Sequence, residues 1–334
     1  MLPIKENPSL SATAAQCCSA LPNFLIVGAP KTGTTSLYHY LQQHPQIFMS
    51  PVKEPSFFCS ELRPENFPDA FRRRVAQQSN ELRSHLRDAK PGAPPPGLIT
   101  EWDDYQLLFR NVQAERAVGE ASVFYLWSAS APGNIRSRIP HAKIIMILRD
   151  PAERAFSQYL PLLMAGFIKS SFREHIDQCI RATSREHSSV YPFLEFGLYH
   201  QQVKLYLEIF PRNNIRIYWY EEAWRKPMAL LADLFEFLGV DSIELDTSKR
   251  HYDRRAKYIS YVLKRYVLGQ RGVMLIPRAL RSYLKPLVAR LGPYARLAPE
   301  DRKFLIDYYR NDIEKLALLT NHDLTAWLTV SRSA

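Results

Sequence analysis

The apolar run Asn23-Phe-Leu-Ile-Val27 stops at Gly28, and from 34 to 44 the chain changes to helical spacing with Leu37 and Leu41 on one side. This predicts a strand, a loop and a helix. The same order returns in Lys143-Ile-Ile-Met-Ile-Leu148, the turn Arg149-Asp150-Pro151, and a helical pattern over 152–165. Asp150 suits the cap of that helix and Pro151 its first position. Residues 215–218 followed by 227–238, which Gly239 stops, predict a third unit. Strands alternating with helices make a parallel sheet covered by helices, with ligands at the carboxyl ends of the strands.

Two regions break the rhythm. Residues 63–100 are polar and end in Pro91-Gly-Ala-Pro-Pro-Pro-Gly97, which reads as a surface excursion returning through a stiff loop. Residues 258–297 mix Tyr, Leu and Val with Lys and Arg at helical spacing, which predicts an inserted amphipathic subdomain. From Pro299 the positions Phe304, Leu305, Tyr308, Tyr309, Ile313, Leu316 and Leu318 predict a closing helix. The expected fold is therefore α/β, a P-loop-like parallel sheet flanked by helices with an inserted basic helical subdomain. Residues 1–21 read as an N-terminal extension and 22–330 as one domain.

With 334 residues, 46% of them hydrophobic, the chain can bury a core without covalent staples. Cys17, Cys18, Cys59 and Cys179 have neither metal-type nor redox-type spacing, so a reducing compartment is expected. Residues 1–22 lack the apolar core of a signal peptide, and no stretch is uniformly apolar over the roughly 18 residues a membrane span needs. The expectation is cytoplasmic, with membrane association through the basic block as its variant. The net charge of +11 is concentrated: residues 249–303 hold 15 Lys and Arg against 3 Asp and Glu, leaving the rest of the chain at −1. Such a block attracts anions, whether nucleotide, acidic glycan or lipid surface. No nucleic-acid module accompanies it, so nucleic acid is not an expected partner.

Gly28-Ala-Pro-Lys-Thr-Gly-Thr-Thr-Ser36 lies between a strand and a helix, where backbone N–H groups and the helix dipole make an anion site. Lys31 adds a point charge, and Thr34, Thr35 and Ser36 add hydroxyl donors. A Walker A loop differs, because its lysine follows the last glycine and its Ser or Thr holds magnesium. Here Lys31 precedes Gly33, and the strand that would end in an acidic magnesium ligand ends in Arg149. No metal is expected, and a P-loop kinase is the weaker reading.

Pro30-Lys-Thr-Gly-Thr-Thr-Ser-Leu37 resembles the 5′-phosphosulfate loop of the sulfotransferases, and Arg149-Asp-Pro-Ala-Glu-Arg-Ala-Phe-Ser157 resembles their 3′-phosphate motif. The resemblance extends to His44-Pro45, Lys53-Glu-Pro-Ser-Phe-Phe58, Gly119-Glu-Ala-Ser122, Asp307-Tyr-Tyr-Arg310 and Trp327. It is strongest to the heparan-sulfate-type branch and covers about 22–250 and 299–328; the basic block lies outside it.

The resemblance implies a sulfuryl donor, 3′-phosphoadenosine-5′-phosphosulfate, held by Lys31, Thr32, Gly33, Thr34, Thr35, Ser36, Arg149 and Ser157. It places Lys31 by the bridging oxygen that gains charge as the bond breaks. It makes Glu120 the base, although Ala121 stands where the branch has lysine. Lys53 resembles a cleft lysine, with a solvated loop lysine as its equal alternative; residues 252–258 replace the family's late nucleotide-covering loop with no residue carried over, and Arg254, Arg255 and Lys257 there are candidates to reach the donor phosphates. The implied acceptor is a carbohydrate or glycolipid hydroxyl or amine, with other small molecules behind it. His39 and His200 are expected to be structural helix residues, His141 a poor base candidate in the loop approaching its strand, Arg154 solvated, Asp150 only a helix cap, and Phe57 and Phe58 core. The competing class is a peripheral membrane or anion-binding protein with a degenerate donor site.

Overall fold

The computed structural model describes residues 20–182, 192–248 and 296–330. Along the chain run β1 (Phe24–Gly28), α1 (Thr34–Leu41), β2 (Ile47–Met49), α2 (Asp69–Arg87), α3 (Trp102–Gln106), β3 (Ala117–Ala121), α4 (Ala131–Arg138) and β4 (Lys143–Leu148). There follow α5 (Pro151–Met164), α6 (Phe172–Arg181), α7 (Tyr199–Ile209), β5 (Ile215–Trp219), α8 (Tyr220–Ala223), α9 (Pro227–Leu238) and α10 (Pro299–Thr320). The five strands form one parallel sheet in the order β2-β3-β1-β4-β5.

Side chains alternate across a strand, and each face of this sheet is covered. Leu25 and Val27 of β1 with Ile144, Met146 and Leu148 of β4 enter one apolar cluster, shared with α4, α5, α7 and α10. Phe24, Ile26, Ile145 and Ile147 enter the other, shared with α1 and α9. Burial on both faces makes β1 and β4 continuous apolar runs rather than alternating ones. Gly119 of β3 lies under the Phe24 ring, where a Cβ would come within 2.4 Å of it.

The three predicted strand-to-helix units are present with ends shifted by a few residues, and α9 stops at Gly239, whose φ is 78°. The excursion at 63–100 differs from the expectation, because it contains the 19-residue helix α2. Leu82 and Leu86 are the hydrophobic side chains α2 buries, too few for the pattern to reveal a helix. In α10, Leu305, Tyr309, Ile313 and Leu316 are buried as predicted, whereas Tyr308 is exposed and Leu318 is 84% exposed. The basic block as far as residue 295, with Arg254, Arg255 and Lys257, and the extension through residue 19 lie outside the described residues. Among the described residues no helix is long and apolar enough to cross a membrane.

Candidate active site

The central strand β1 ends in the lysine-glycine loop, β3 on one side carries Glu120, and β4 on the other ends at Arg149. Three motifs far apart in the chain thus leave the same edge of the sheet on adjacent strands, about 4.8 Å apart. Ala29 N–H donates to the Ile147 carbonyl at 2.9 Å and Leu126 N–H to the Val27 carbonyl at 2.8 Å, tying the loop base to both neighbours.

Within the loop, Thr32 is buried and its hydroxyl donates to the Ala29 carbonyl at 2.7 Å. The Trp224 indole N–H donates to the Thr32 carbonyl at 2.8 Å. Gly33 has φ 87°, and a Cβ there would lie 2.6 Å from the Trp224 ring. Glycine is required twice over, for its backbone conformation and for that ring. No side chain caps α1 at Gly33, so the first N–H groups of the helix belong to the loop, with Thr34 buried and Thr35 and Ser36 part-buried beside them. Lys31, at φ 69°, is part-buried, and its carbonyl accepts from the Arg149 Nη1 at 3.1 Å.

Arg149 is 8% exposed, and its guanidinium lies 4.4 Å from the Tyr220 ring centre. Glu153 is 3.8 Å from the Arg149 Nη2, too long for a hydrogen bond, while the buried Arg149 Nε has no partner among the described residues. Ser157, one and a half turns into α5, is buried with its Oγ equally unpartnered. Arg154 Nε of the same motif is likewise buried without a partner among the described residues, which makes three such atoms; buried polar groups are normally satisfied, so this number suits a ligand rich in acceptors.

Asp150 caps α5 as expected, accepting from the Ala152 and Glu153 N–H groups at 3.0 and 3.2 Å. Its role is wider than a cap, because its other oxygen accepts from Arg302 of α10 at 2.8 Å, both groups being buried. Arg154 also departs from expectation. It is fully buried, donating to Gln158 Oε1 at 2.6 Å and to the Phe193 carbonyl, because its position on α5 faces inward.

Glu120 is wholly enclosed. Its Oε1 accepts from Tyr125 at 2.7 Å and Tyr105 at 3.2 Å, and its Oε2 from Ser122 at 2.7 Å. Burial pushes its carboxyl up to about 7, against the pull of these hydroxyls, with Glu54 pushing the same way as burial. Neither tyrosine carries a spacing signal that singles it out; both resemble core aromatics. Lys53 is part-buried and paired with Glu54, whose N–H donates to the Ala121 carbonyl at 2.9 Å, so this pair stands at the end of β3. Phe57 and Phe58 are core, packed around Tyr105 with ring centres 4.8 and 5.1 Å away. His141 is exposed in the turn that enters β4, at the opposite edge of the sheet, while His39 and His200 lie on α1 and α7.

Comparison with known proteins places this arrangement. The model of the sulfotransferase family matches residues 22–244. Over 93% of its length the chain is 30% identical to human bifunctional heparan sulfate N-deacetylase/N-sulfotransferase 3, covering 31% of that protein. Over 72% it is 22% identical to the membrane-associated sulfotransferase kil1 of Dictyostelium discoideum, covering 60% of it. Human carbohydrate sulfotransferase 15 is 23% identical over 92% of the chain and is 55% covered. The chain thus spans between about a third and three fifths of the length of these curated relatives. Among solved structures, a sulfotransferase from Alicyclobacillus acidocaldarius superposes with a TM-score of 0.66 and 30% identity, over 93% of this chain and all of that one.

Proposed function

Because this chain belongs to the sulfotransferase family, we propose that it transfers a sulfuryl group from 3′-phosphoadenosine-5′-phosphosulfate to a hydroxyl or amine of a carbohydrate or glycolipid. The observation that carries the donor assignment is Arg149, whose Nη1 is held on the Lys31 carbonyl of the lysine-glycine loop while its buried Nε, like the Ser157 Oγ further along the motif, has no partner among the described residues. A guanidinium and a hydroxyl suit a phosphate that supplies several acceptor oxygens, and this fit supports the 3′-phosphate as their ligand. The donor, when bound, supplies the activated sulfuryl group.

The remaining chemistry is that of the chain. The open N–H groups at the start of α1, with Thr34, Thr35 and Ser36, hold an anionic phosphosulfate end. Lys31, leaving the central strand between the other two motifs, provides a fixed cation where negative charge grows on a leaving phosphate oxygen. Glu120 is the base, and its carboxyl near 7 suits a group that takes a proton at neutral pH. Since Glu120 is enclosed, an acceptor's proton reaches it only when one of its three hydroxyl donors gives way or passes the proton on. Against the kinase alternative, both oxygens of Asp150, the carboxylate nearest the end of β4, are engaged by the α5 cap and by Arg302. The carbohydrate acceptor draws on the relatives' names, heparan sulfate and carbohydrate sulfotransferases.

Calorimetry with two nucleotides tests the donor assignment. Arg149→Ala is expected to weaken 3′-phosphoadenosine-5′-phosphate by about one to two decades and to leave the analogue lacking the 3′-phosphate nearly unchanged. Equal loss of both ligands would make Arg149 a structural residue.

A further inference from the structure

The heparan-sulfate-type motif sets a lysine after its glutamate, and this chain has Ala121 there. The structure indicates what balances Glu120 instead, since every hydrogen bond it accepts comes from a neutral hydroxyl. Two of those hydroxyls are themselves held by one loop. The Ser56 N–H donates to Ser122 Oγ at 3.1 Å, and Ser122 donates on to Glu120. The Phe58 N–H approaches the Tyr125 hydroxyl at 3.3 Å, and Tyr125 donates on to Glu120. Each chain runs from a backbone amide through a hydroxyl to the carboxylate, so its bonds polarise in one direction and strengthen one another. Ser56 stands at φ 55° in this loop, a conformation that non-glycine residues seldom adopt.

Resting on the base reading above, we propose that Tyr125, Ser122 and Tyr105 are positioning residues, a neutral hydroxyl clamp that replaces the missing cation and keeps Glu120 ionisable inside an enclosed pocket, with the Lys53–Phe58 loop aligning the clamp through its amides. The groups facing Glu120 are few. Tyr105 comes from α3, while Asp104 beside it engages Arg83 and Arg87 of α2 at 2.8 and 2.6 Å. Glu54, paired with Lys53, comes from the loop after β2, and Tyr206 of α7 donates to the Tyr125 carbonyl at 2.9 Å. Burial and the neighbouring Glu120 hold Tyr105 and Tyr125 well above the ordinary phenol range, so both remain O–H donors wherever Glu120 titrates.

The test reads the carboxyl directly, by isotope-edited NMR of glutamate side chains in the whole protein, with the Glu120 signal identified by its loss in Glu120→Gln. Tyr125→Phe is expected to raise the Glu120 midpoint by about one pH unit or more, and Tyr105→Phe, at the longer contact, by less. Should Tyr125→Phe fail to fold, Ser122→Ala removes the donor on the other oxygen and is expected to shift the midpoint in the same direction. Stability gives a second readout. The folded carboxyl keeps its proton to about 7 against an ordinary 4.5, so this contribution is full below the lower value and is lost as pH rises through the upper one. In the variants the decline is expected to extend to higher pH. Midpoints and declines that coincide with wild type in the folded variants would overturn the proposal, whatever Glu120 does in turnover. A Glu120→Gln enzyme that keeps its kcat would instead remove the base reading and leave the titration result standing.

Discussion

The two ends of the candidate site are built on opposite plans. At the β4 end Arg149 and Ser157 are buried yet hold polar atoms that no group of the described protein engages. At the β3 end Glu120 is buried more completely and both its oxygens are engaged. The first plan leaves hydrogen-bonding capacity unused among the described residues; the second surrounds a carboxylate with donors, which suits the change of protonation proposed for it. Both depend on parallel strands that deliver their carboxyl ends to one edge, and both draw rigidity from distant segments. Arg302 of α10 steadies the Asp150 cap beside Arg149, and the Lys53–Phe58 loop steadies the hydroxyls around Glu120.

The sharpest way to break the comparison is to remove the proposed proton acceptor without removing its shape. Glu120→Gln is expected to lower kcat by about 10² to 10⁴ with donor affinity near wild type, measured in single-turnover and calorimetric assays. An amide in the same pocket keeps one oxygen to accept from the tyrosines, so the fold should survive. A variant with most of its kcat would make the closed end structural and send the search for a base to Glu54 or the histidines. The next effect belongs to the support of the open end. Arg302→Ala leaves Asp150 buried without its cation, and such a loss costs roughly 3–5 kcal/mol, to be read in denaturant unfolding. A change under about 1 kcal/mol would show that the α5 cap alone satisfies Asp150.

Much of the open end was legible in the amino-acid sequence because its parts are local. The lysine-glycine loop and Arg149 directly follow apolar runs that parallel-sheet burial makes conspicuous, whereas Ser157, nine positions past Leu148, was named through the resemblance of its motif. The closed end was legible only through Glu120 and its resemblance to a known motif. Tyr125 is five positions from Glu120 and Tyr105 fifteen, and nothing in their spacing separates a carboxylate's donors from ordinary core aromatics. The same limit explains Arg154, which has the charge of a solvated residue but an inward helical position, with its acceptor Phe193 39 residues away. Helix α2 escaped notice because a helix burying so few apolar side chains has almost no periodic signal. Asp150 and Arg302 are 152 positions apart, and only the packing of α10 against α5 brings them together.

Ser157→Ala gives the smallest expected effect and the finest discrimination between the two plans. If the Ser157 hydroxyl faces a ligand, deleting it removes a buried group with no partner among the described residues, so stability should stay within about 0.5 kcal/mol of wild type or rise. Donor binding should weaken by roughly tenfold, the worth of one hydrogen bond to a charged phosphate, and only for nucleotides that carry the 3′-phosphate. The corresponding deletion at the closed end, Ser122→Ala, should do the reverse: it strips a donor from a buried carboxylate, so near neutral pH it should lower stability while leaving nucleotide affinity alone. The pair of variants therefore forms a crossed experiment, one serine read in affinity and the other in stability. Ser157→Ala with wild-type donor affinity, or Ser122→Ala with wild-type unfolding at pH 8, would erase the distinction between an open and a closed end.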